Sequence, residues 1–178
     1  TCALPICWAD HIYSSRSLDN GRSWSVPTPT ELPNNNSSIQ FTRLANDHLA
    51  IVFNDISSAQ ATERRLSLYD EIEDDEDTPG TPQAAPAPHT TTGKTAFWGT
   101  PRAPMTLAIS EDGGKTWPYK RNLEIGDGYC MSNNSEKQIN REFSYPSIKQ
   151  TADGFIHIAY TYWRQKIKYV RVSEDWVK

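Results

Sequence analysis

The chain has 178 residues, a length typical of a single domain, and a formal net charge of −4 from 18 basic and 22 acidic residues. Seven acidic residues fall within residues 70–77, so the rest of the chain has 18 basic and 15 acidic residues, a balance of +3. This charge balance excludes the strongly basic face of a nucleic-acid-binding protein. The apolar runs are too short for a membrane-spanning helix, and three cysteines are too few for a disulfide-rich scaffold.

The first segment, residues 1–6, reads Thr-Cys-Ala-Leu-Pro-Ile and resembles the translated end of a common sequencing adapter. We expect this segment to be a leader that is not native to the protein, and the alternative is an ordinary loop. With such a leader, the native amino terminus and any targeting signal in it are unknown.

An octet with the pattern S-x-D-x-G-x-[ST]-W occurs twice, at residues 17–24 and 110–117. Short stretches of alternating polarity precede the two copies, at 11–15 and 105–110. In each copy the Gly favours a turn, the Asp can accept backbone N–H bonds, and the Trp can bury its ring against a neighbouring layer. Each octet therefore predicts a hairpin turn that stabilises the fold. Neither octet has the ligand spacing of a calcium loop.

Further short strands with turns between them follow in two places. They are predicted at 38–44, 48–54, 145–151, 155–162 and 166–172. No segment shows a convincing helical period. The sequence therefore predicts an all-β fold.

Residues 57–96 interrupt the strand pattern with the acidic block and a stretch rich in Pro, Thr and Ala, which predicts a disordered insertion between the β-rich parts 7–56 and 97–178. The tryptophans that close the octets are 93 residues apart. Without an insertion of roughly 35–40 residues, about 55 remain per repeat, close to the ~40–50 of a four-stranded propeller blade. We therefore expect roughly two and a half blades, an incomplete propeller.

The octets match the Asp-box of the BNR-repeat propellers, a family that includes the sialidases (neuraminidases). The stretch 141–168, which begins Arg-Glu-Phe-Ser-Tyr-Pro-Ser-Ile, resembles the last blade of the sialidase-like members. Residues 32–37 and 102–107 are similar to the same subgroup. The resemblance implies a six-bladed β-propeller of four-stranded antiparallel blades, with this chain as its C-terminal part.

The resemblance also implies site residues. Sialidases bind the substrate carboxylate with three arginines and use a Tyr backed by a Glu as the nucleophile, because an anionic nucleophile would be repelled by that carboxylate. Tyr145 is the expected nucleophile, and Glu142 is expected to be a local acid or a base for it. Arg102 is expected at the position of the third arginine of the triad, and Arg141 and Arg164 are expected to line the same mouth. Each arginine could also be a solvated side chain, and Tyr145 a packed strand residue.

Three functions stay open. The first is a sialidase-like exo-glycoside hydrolase that acts on a terminal acidic sugar, sialic acid, of glycans. The second is a hydrolase of uronic-acid-containing polysaccharide, and the third is a non-catalytic propeller that binds glycan or protein. The blades that would carry the first arginine and the acid/base Asp are expected outside this chain, so the fragment alone is expected to be inactive.

The expected partner is a glycan or oligosaccharide, and no cofactor, metal, nucleic acid or membrane span is implied. The cellular compartment stays open. The N-x-[ST] triplets at Asn35, Asn36 and Asn133 suit a secreted protein. The few cysteines and the acidic insertion suit an intracellular protein equally well.

Overall fold

A computed structural model describes residues 10–57, 60, 100–132 and 135–178, and the backbone of residues 2–5. The described residues form ten strands and one short 3-10 helix at Ser135–Lys137, and they contain no α-helix. The strands are β1 (Cys2–Pro5), β2 (His11–Ser15), β3 (Thr28–Pro33), β4 (Gln40–Arg43), β5 (Leu49–Asn54), β6 (Met105–Ser110), β7 (Tyr119–Glu124), β8 (Phe143–Gln150), β9 (Ile156–Tyr162) and β10 (Lys166–Val172). The predicted all-β fold is confirmed, and β2, β6 and β10 have the predicted bounds.

The strands build three antiparallel sheets in the orders β1-β2-β3, β4-β5-β6-β7 and β10-β9-β8. Both octets lie in hairpin turns as predicted, because β2 pairs with β3 and β6 pairs with β7. The middle sheet has the four antiparallel strands of a propeller blade. No helix within the described ranges is long and apolar enough to cross a membrane.

Two of the predicted segments are only partly among the described residues. The expected insertion 57–96 lies outside the described residues, apart from Ser57 and Gln60. The strands on either side of it, β5 and β6, pair directly along their full length. The expected leader, residues 1–6, overlaps β1, which pairs with β2. The non-native origin of that segment stays a prediction.

The two central strands of the middle sheet, β5 and β6, are buried on both faces, whereas the outer strands β4 and β7 are partly exposed. Leu49, Ile51 and Phe53 pack toward the first sheet, against Ile12 and Leu32. The alternate residues of β5 pack toward the third sheet in a second cluster that includes Ala50, Val52, Phe143, Ile158 and Tyr160. Successive strand residues point to opposite faces, so one continuous apolar strand contributes to both cores.

The octet carboxylates bind their own turns. Asp19 accepts hydrogen bonds from the Ser23 backbone N–H at 2.9 Å and from its hydroxyl at 2.6 Å. Asp112 accepts the equivalent bonds from Thr116 at 3.0 and 2.7 Å. The prediction that the octets act as structural turns is confirmed, since each carboxylate satisfies backbone donors within its own hairpin.

The two octet tryptophans differ in burial. Trp117 is 6% exposed and packs in the core between the first and middle sheets. Trp24 is 50% exposed, and its ring nitrogen donates to the carbonyl of Gly21 at 3.1 Å. Burial against a neighbouring layer is therefore confirmed at Trp117 and wrong at Trp24. The first sheet covers Trp117, whereas no described sheet covers Trp24.

Candidate functional site

The segments that carry the predicted site residues meet at one end of the middle and third sheets. In the register, Asn54 at the end of β5 lies opposite Met105 at the start of β6. Phe143 at the start of β8 lies opposite Tyr162 at the end of β9. The Asn54 side-chain amide donates to the carbonyl of Phe143 at 3.2 Å and so joins the middle and third sheets at this end. The loop before β6 therefore lies beside the start of β8.

Backbone contacts fix the position of Arg102 in that loop. Its N–H donates to the carbonyl of Gly128 at 2.8 Å, and its own carbonyl accepts from the N–H of Phe143 at 2.9 Å. The amide of Asn35, which is 3% exposed, donates to the carbonyl of Pro101 at 2.7 Å. A Cβ added at Gly128 would lie 2.5 Å from the Arg102 nitrogen. The loop can pass this closely only because position 128 has no side chain.

Glu142 is the buried anion of the site, and it is fully buried. Its Oε1 accepts from Arg164 Nε at 2.7 Å and from the Ser144 hydroxyl at 2.9 Å. Arg102 Nη1 lies 3.7 Å from the same oxygen. Glu142 Oε2 has no hydrogen-bond partner among the described residues. A buried charge needs such compensation, so Glu142 holds both guanidinium groups in place.

Arg102 is mostly buried beside this carboxylate. Its Nη1 donates to the Ser144 hydroxyl at 3.2 Å. Burial acts to lower the pKa of Arg102, but the negative charge of Glu142, with further contributions from Cys130 and Tyr145, raises it above its ordinary value. The guanidinium thus stays charged. The guanidinium groups of Arg102 and Arg164 carry two positive charges against the one negative charge of Glu142, so these three groups have a net charge of +1.

Tyr145 lies exposed above Arg102. It is 58% exposed, and the Arg102 guanidinium carbon lies 5.6 Å from its ring centroid. Its φ is +51°, at an irregularity in the β8–β9 register between Ser144 and Ser147. A bulky residue rarely adopts this conformation, and such outliers cluster at functional sites. The irregularity leaves the Tyr145 ring at the surface instead of in the sheet.

A second strained turn positions Arg164. Trp163 and Arg164 have φ values of +57° and +54°. The Trp163 N–H donates to the carbonyl of Glu142 at 2.8 Å, and Arg164 Nη1 donates to the carbonyl of Ser132 at 3.3 Å. The β9–β10 turn is therefore tied by backbone and side chain to the residue at the centre of the site.

Four of the five predicted site residues lie together, and Arg141 lies apart. Arg102, Glu142, Tyr145 and Arg164 converge at the start of β8. Arg141 instead donates to Asp127, with Nη2 at 2.6 Å from Oδ2, and its guanidinium lies 5.0 Å from the Tyr129 ring centroid. The hydrogen bonds from Arg141 also lower the pKa of Asp127. Sequence reasoning did not predict this pair.

Sequence reasoning also missed Ser144 and Gly128. Ser144 hydrogen bonds with both Arg102 and Glu142, and its position beside Tyr145 in the Ser-Tyr-Pro-Ser motif was the available signal. Gly128 acts through a close backbone approach that no local pattern encodes. No hydrogen bond between described residues joins Glu142 to Tyr145, so the expected contact between acid and nucleophile is absent from this arrangement.

A separate group with metal-ligand chemistry lies near the start of β5, at the other end of the middle sheet. It comprises His48, Glu111 and Glu174, whose ligand atoms lie within 4.8 Å of one another. Lys178 Nζ lies 2.5 Å from Glu111 and 3.0 Å from Glu174. The ammonium group pairs with both carboxylates and offsets one of their two negative charges, and the cluster ties residues 174–178 to the middle sheet.

Comparison with known proteins identifies one family. A family model described as a BNR repeat-like domain matches residues 7–158. The match covers both octets, the loop that carries Arg102, and the start of the third sheet with Glu142 and Tyr145. No curated protein matches the chain.

Proposed function

Because the chain belongs to the BNR repeat-like domain family, in which Asp-box repeats form propeller blades, we propose that it is part of a sialidase-like exo-glycoside hydrolase. Its substrate is the terminal acidic sugar, sialic acid, of a glycan. The three described sheets are fewer than the four to eight blades that close a propeller. In this proposal the chain supplies part of the enzyme, and the remaining arginine and acid/base residue come from other blades.

One observation carries the proposal: Arg102 and Arg164 both bind the fully buried Glu142, and the three groups together carry one net positive charge. A single excess guanidinium charge matches the single carboxylate of an acidic sugar. The planar fork of an arginine can form two parallel hydrogen bonds to that carboxylate. Glu142 keeps the forks oriented before the sugar arrives, which reduces the entropy cost of binding.

In the proposed mechanism Tyr145 is the nucleophile. Its hydroxyl oxygen forms a bond to the anomeric carbon as the bond to the leaving oxygen breaks, and the phenolic proton passes to a carboxylate. The leaving oxygen takes a proton from the acid/base residue of another blade, and water then hydrolyses the bond between the sugar and Tyr145. Glu142 Oε2, which has no partner among the described residues, is the proposed proton acceptor, and this role requires the Tyr145 ring to turn toward it, because no hydrogen bond joins the two groups in this arrangement. Arg102 lies beside the Tyr145 ring and stabilises the phenolate character that develops during attack.

Arg141 has a lesser role in this proposal. It is 48% exposed at the side chain and already paired with Asp127. Substrate can engage it only by competing with that carboxylate. We therefore place Arg141 at the rim of the site, where it contacts the glycan beyond the terminal sugar.

One observation favours a second candidate function, a non-catalytic propeller that binds an acidic glycan. Ser144 and Arg164 occupy Oε1 of Glu142, and no hydrogen bond reaches Tyr145 from that carboxylate. A site that has oriented arginines but no general base hydrogen-bonded to its Tyr would bind the sugar without cleaving it. The two candidates share the same ligand and differ in turnover.

The test uses the full-length protein that contains this chain. Release of 4-methylumbelliferone is measured from a sialoside and from a glucuronide, with wild type, Tyr145→Phe and Tyr169→Phe. Tyr169 is the matched control, since it is 59% exposed and lies on β10 away from the site. We expect turnover of the sialoside, its loss in Tyr145→Phe and its retention in Tyr169→Phe.

Each other result has a definite meaning. Unchanged turnover in Tyr145→Phe contradicts the assignment of Tyr145 as the nucleophile. Turnover of the glucuronide alone moves the substrate to uronic-acid-containing polysaccharide. Binding of sialic acid by the wild type without turnover of either substrate establishes the non-catalytic candidate.

A further inference from the structure

A surface of aromatic and basic side chains lies next to the site, on the β9–β10 hairpin. It consists of Tyr162, Trp163, Lys166 and Lys168, and we call it the aromatic–lysine surface. The two lysine ammonium groups lie 5.2 and 5.4 Å from the Tyr162 ring centroid. The Trp163 ring lies 4.9 Å from that of Tyr162, at an interplanar angle of 31°.

The aromatic–lysine surface is continuous with the site. The backbone N–H of Trp163 donates to the carbonyl of Glu142 at 2.8 Å, and Arg164 follows directly in the chain. On the opposite side, the ring of Tyr162 packs 5.3 Å from that of Phe143, the residue after Glu142. A ligand held by Arg102 and Arg164 therefore has this surface within reach of its next unit.

The two lysines differ in what they bind. Lys168 pairs with Glu124, which also accepts a hydrogen bond from the Tyr160 hydroxyl at 2.6 Å. This arrangement ties β10 to β7. Lys166 is exposed, and no carboxylate of the described residues lies within ion-pair distance of it. Its ammonium group lies over the Tyr162 ring and is available to an anion.

We propose that the aromatic–lysine surface is a second subsite, which binds the acidic sugar next to the terminal one in a polyanionic glycan. This inference rests on the proposed function, since it takes the terminal sugar to be bound at Arg102 and Arg164. The apolar face of the second sugar packs on the rings of Tyr162 and Trp163. Its carboxylate pairs with Lys166, which has no carboxylate partner among the described residues. The preferred ligand is thus an oligomer of acidic sugars rather than a glycan with one acidic end.

The test compares ligand lengths by isothermal titration calorimetry on the full-length protein. The probes are N-acetylneuraminic acid and its α2,8-linked trimer, and galacturonic acid and its trimer. The variants are Lys166→Gln and, as a matched control, Lys149→Gln, an exposed lysine near the far end of β8. We expect one trimer to bind more tightly than its monomer, and Lys166→Gln to reduce that advantage by about 2–5-fold. Lys149→Gln should leave the advantage unchanged.

The outcomes separate this inference from the proposed function. If a monomer binds and its trimer binds no better, or if Lys166→Gln leaves the length advantage intact, the second subsite is overturned and the proposed function stands. If neither monomer nor trimer binds, both fail. If a trimer binds in a way that depends on Lys166 while neither monomer binds, the aromatic–lysine surface binds acidic sugar without the terminal site, which overturns both the proposed function and the subsite defined from it. The sialic and galacturonic arms identify which acidic sugar the subsite accepts.

Discussion

Glu31 and Trp117 join the first sheet to the middle sheet, because the Glu31 carboxylate accepts the backbone N–H of Trp117 at 2.5 Å. Glu31 lies on β3, and Trp117 closes the second octet. Close by, the guanidinium of Arg16 donates to the carbonyl of Gly113, within the turn of that octet. The octet thus has a second role beyond its own hairpin, since it provides backbone groups that the neighbouring sheet binds.

Replacement of Glu31 by Ala removes this connection between sheets. The expected cost is about 1 kcal/mol of the free energy of unfolding, since the bond is charge-assisted but only partly buried. Urea denaturation measures it. Arg22→Ala, an exposed change within the first octet, is the control and should cost less. Equal effects of the two changes would mean that the Glu31 bond contributes nothing of its own.

The octet carboxylates should make the protein sensitive to acid. Hydrogen bonds from Ser23, with others within the turn, lower the pKa of Asp19 to about 2. Bonds from the backbone and hydroxyl of Thr116 lower the pKa of Asp112 further. Because both pKa values lie below those of the unfolded chain, the stabilisation is present above about pH 4 and is lost as the pH falls toward and below 2.

Asp112→Asn tests this acid sensitivity. The variant should have a lower Tm at pH 7 and a shallower loss of Tm between pH 5 and 2, because one carboxylate no longer titrates. Asp175→Asn is the control, since Asp175 is exposed and its side chain accepts no hydrogen bond from another described residue. If the Tm of Asp112→Asn falls with pH in parallel with that of wild type down to pH 2, Asp112 is not a source of the acid sensitivity.

Glu142 and Arg164 should be energetically coupled. Glu142→Gln leaves two guanidinium groups against a neutral amide in a buried site, with an expected cost of about 3 kcal/mol of unfolding free energy. In an Arg164→Gln background the same change should cost about 1–2 kcal/mol less. A double-mutant cycle by urea denaturation measures the difference. Additive effects would show that Glu142 contributes by packing rather than by charge pairing.

The strands were predictable because alternating polarity and turn residues are local signals. The bounds of β6 followed from its apolar residues and the octet after it. Contacts between sheets were not predictable in the same way. The exposure of Trp24 depends on which sheet lies beside it, although its octet has the same pattern as that of Trp117. The pairing of Arg141 with Asp127 depends on how one loop folds back, and no residue pattern at position 141 predicts it.

Gly128 is the clearest case of a positioning residue that the sequence did not reveal, and its replacement by Ala gives a sharp test. A Cβ there would lie 2.5 Å from the backbone nitrogens of both Arg102 and Ala103, so the Arg102 loop must move. Gly154 offers the matched control, because its φ of +80° is similar to the +66° of Gly128 but nothing lies within 4 Å of its added Cβ. Both changes incur the strain of an L-residue at positive φ, about 1 kcal/mol.

Of the two variants, only Gly128→Ala should change the affinity for the ligand. We expect it to weaken binding of N-acetylneuraminic acid by about 10-fold, since a displacement of Arg102 misaligns its guanidinium with the sugar carboxylate. Gly154→Ala should bind the sugar like wild type, although it carries the same strain of an L-residue at positive φ. Calorimetric titration of both variants, with circular dichroism to verify folding, makes the comparison. Equal affinity in the two variants would show that the close approach at Gly128 stabilises the loop without orienting Arg102.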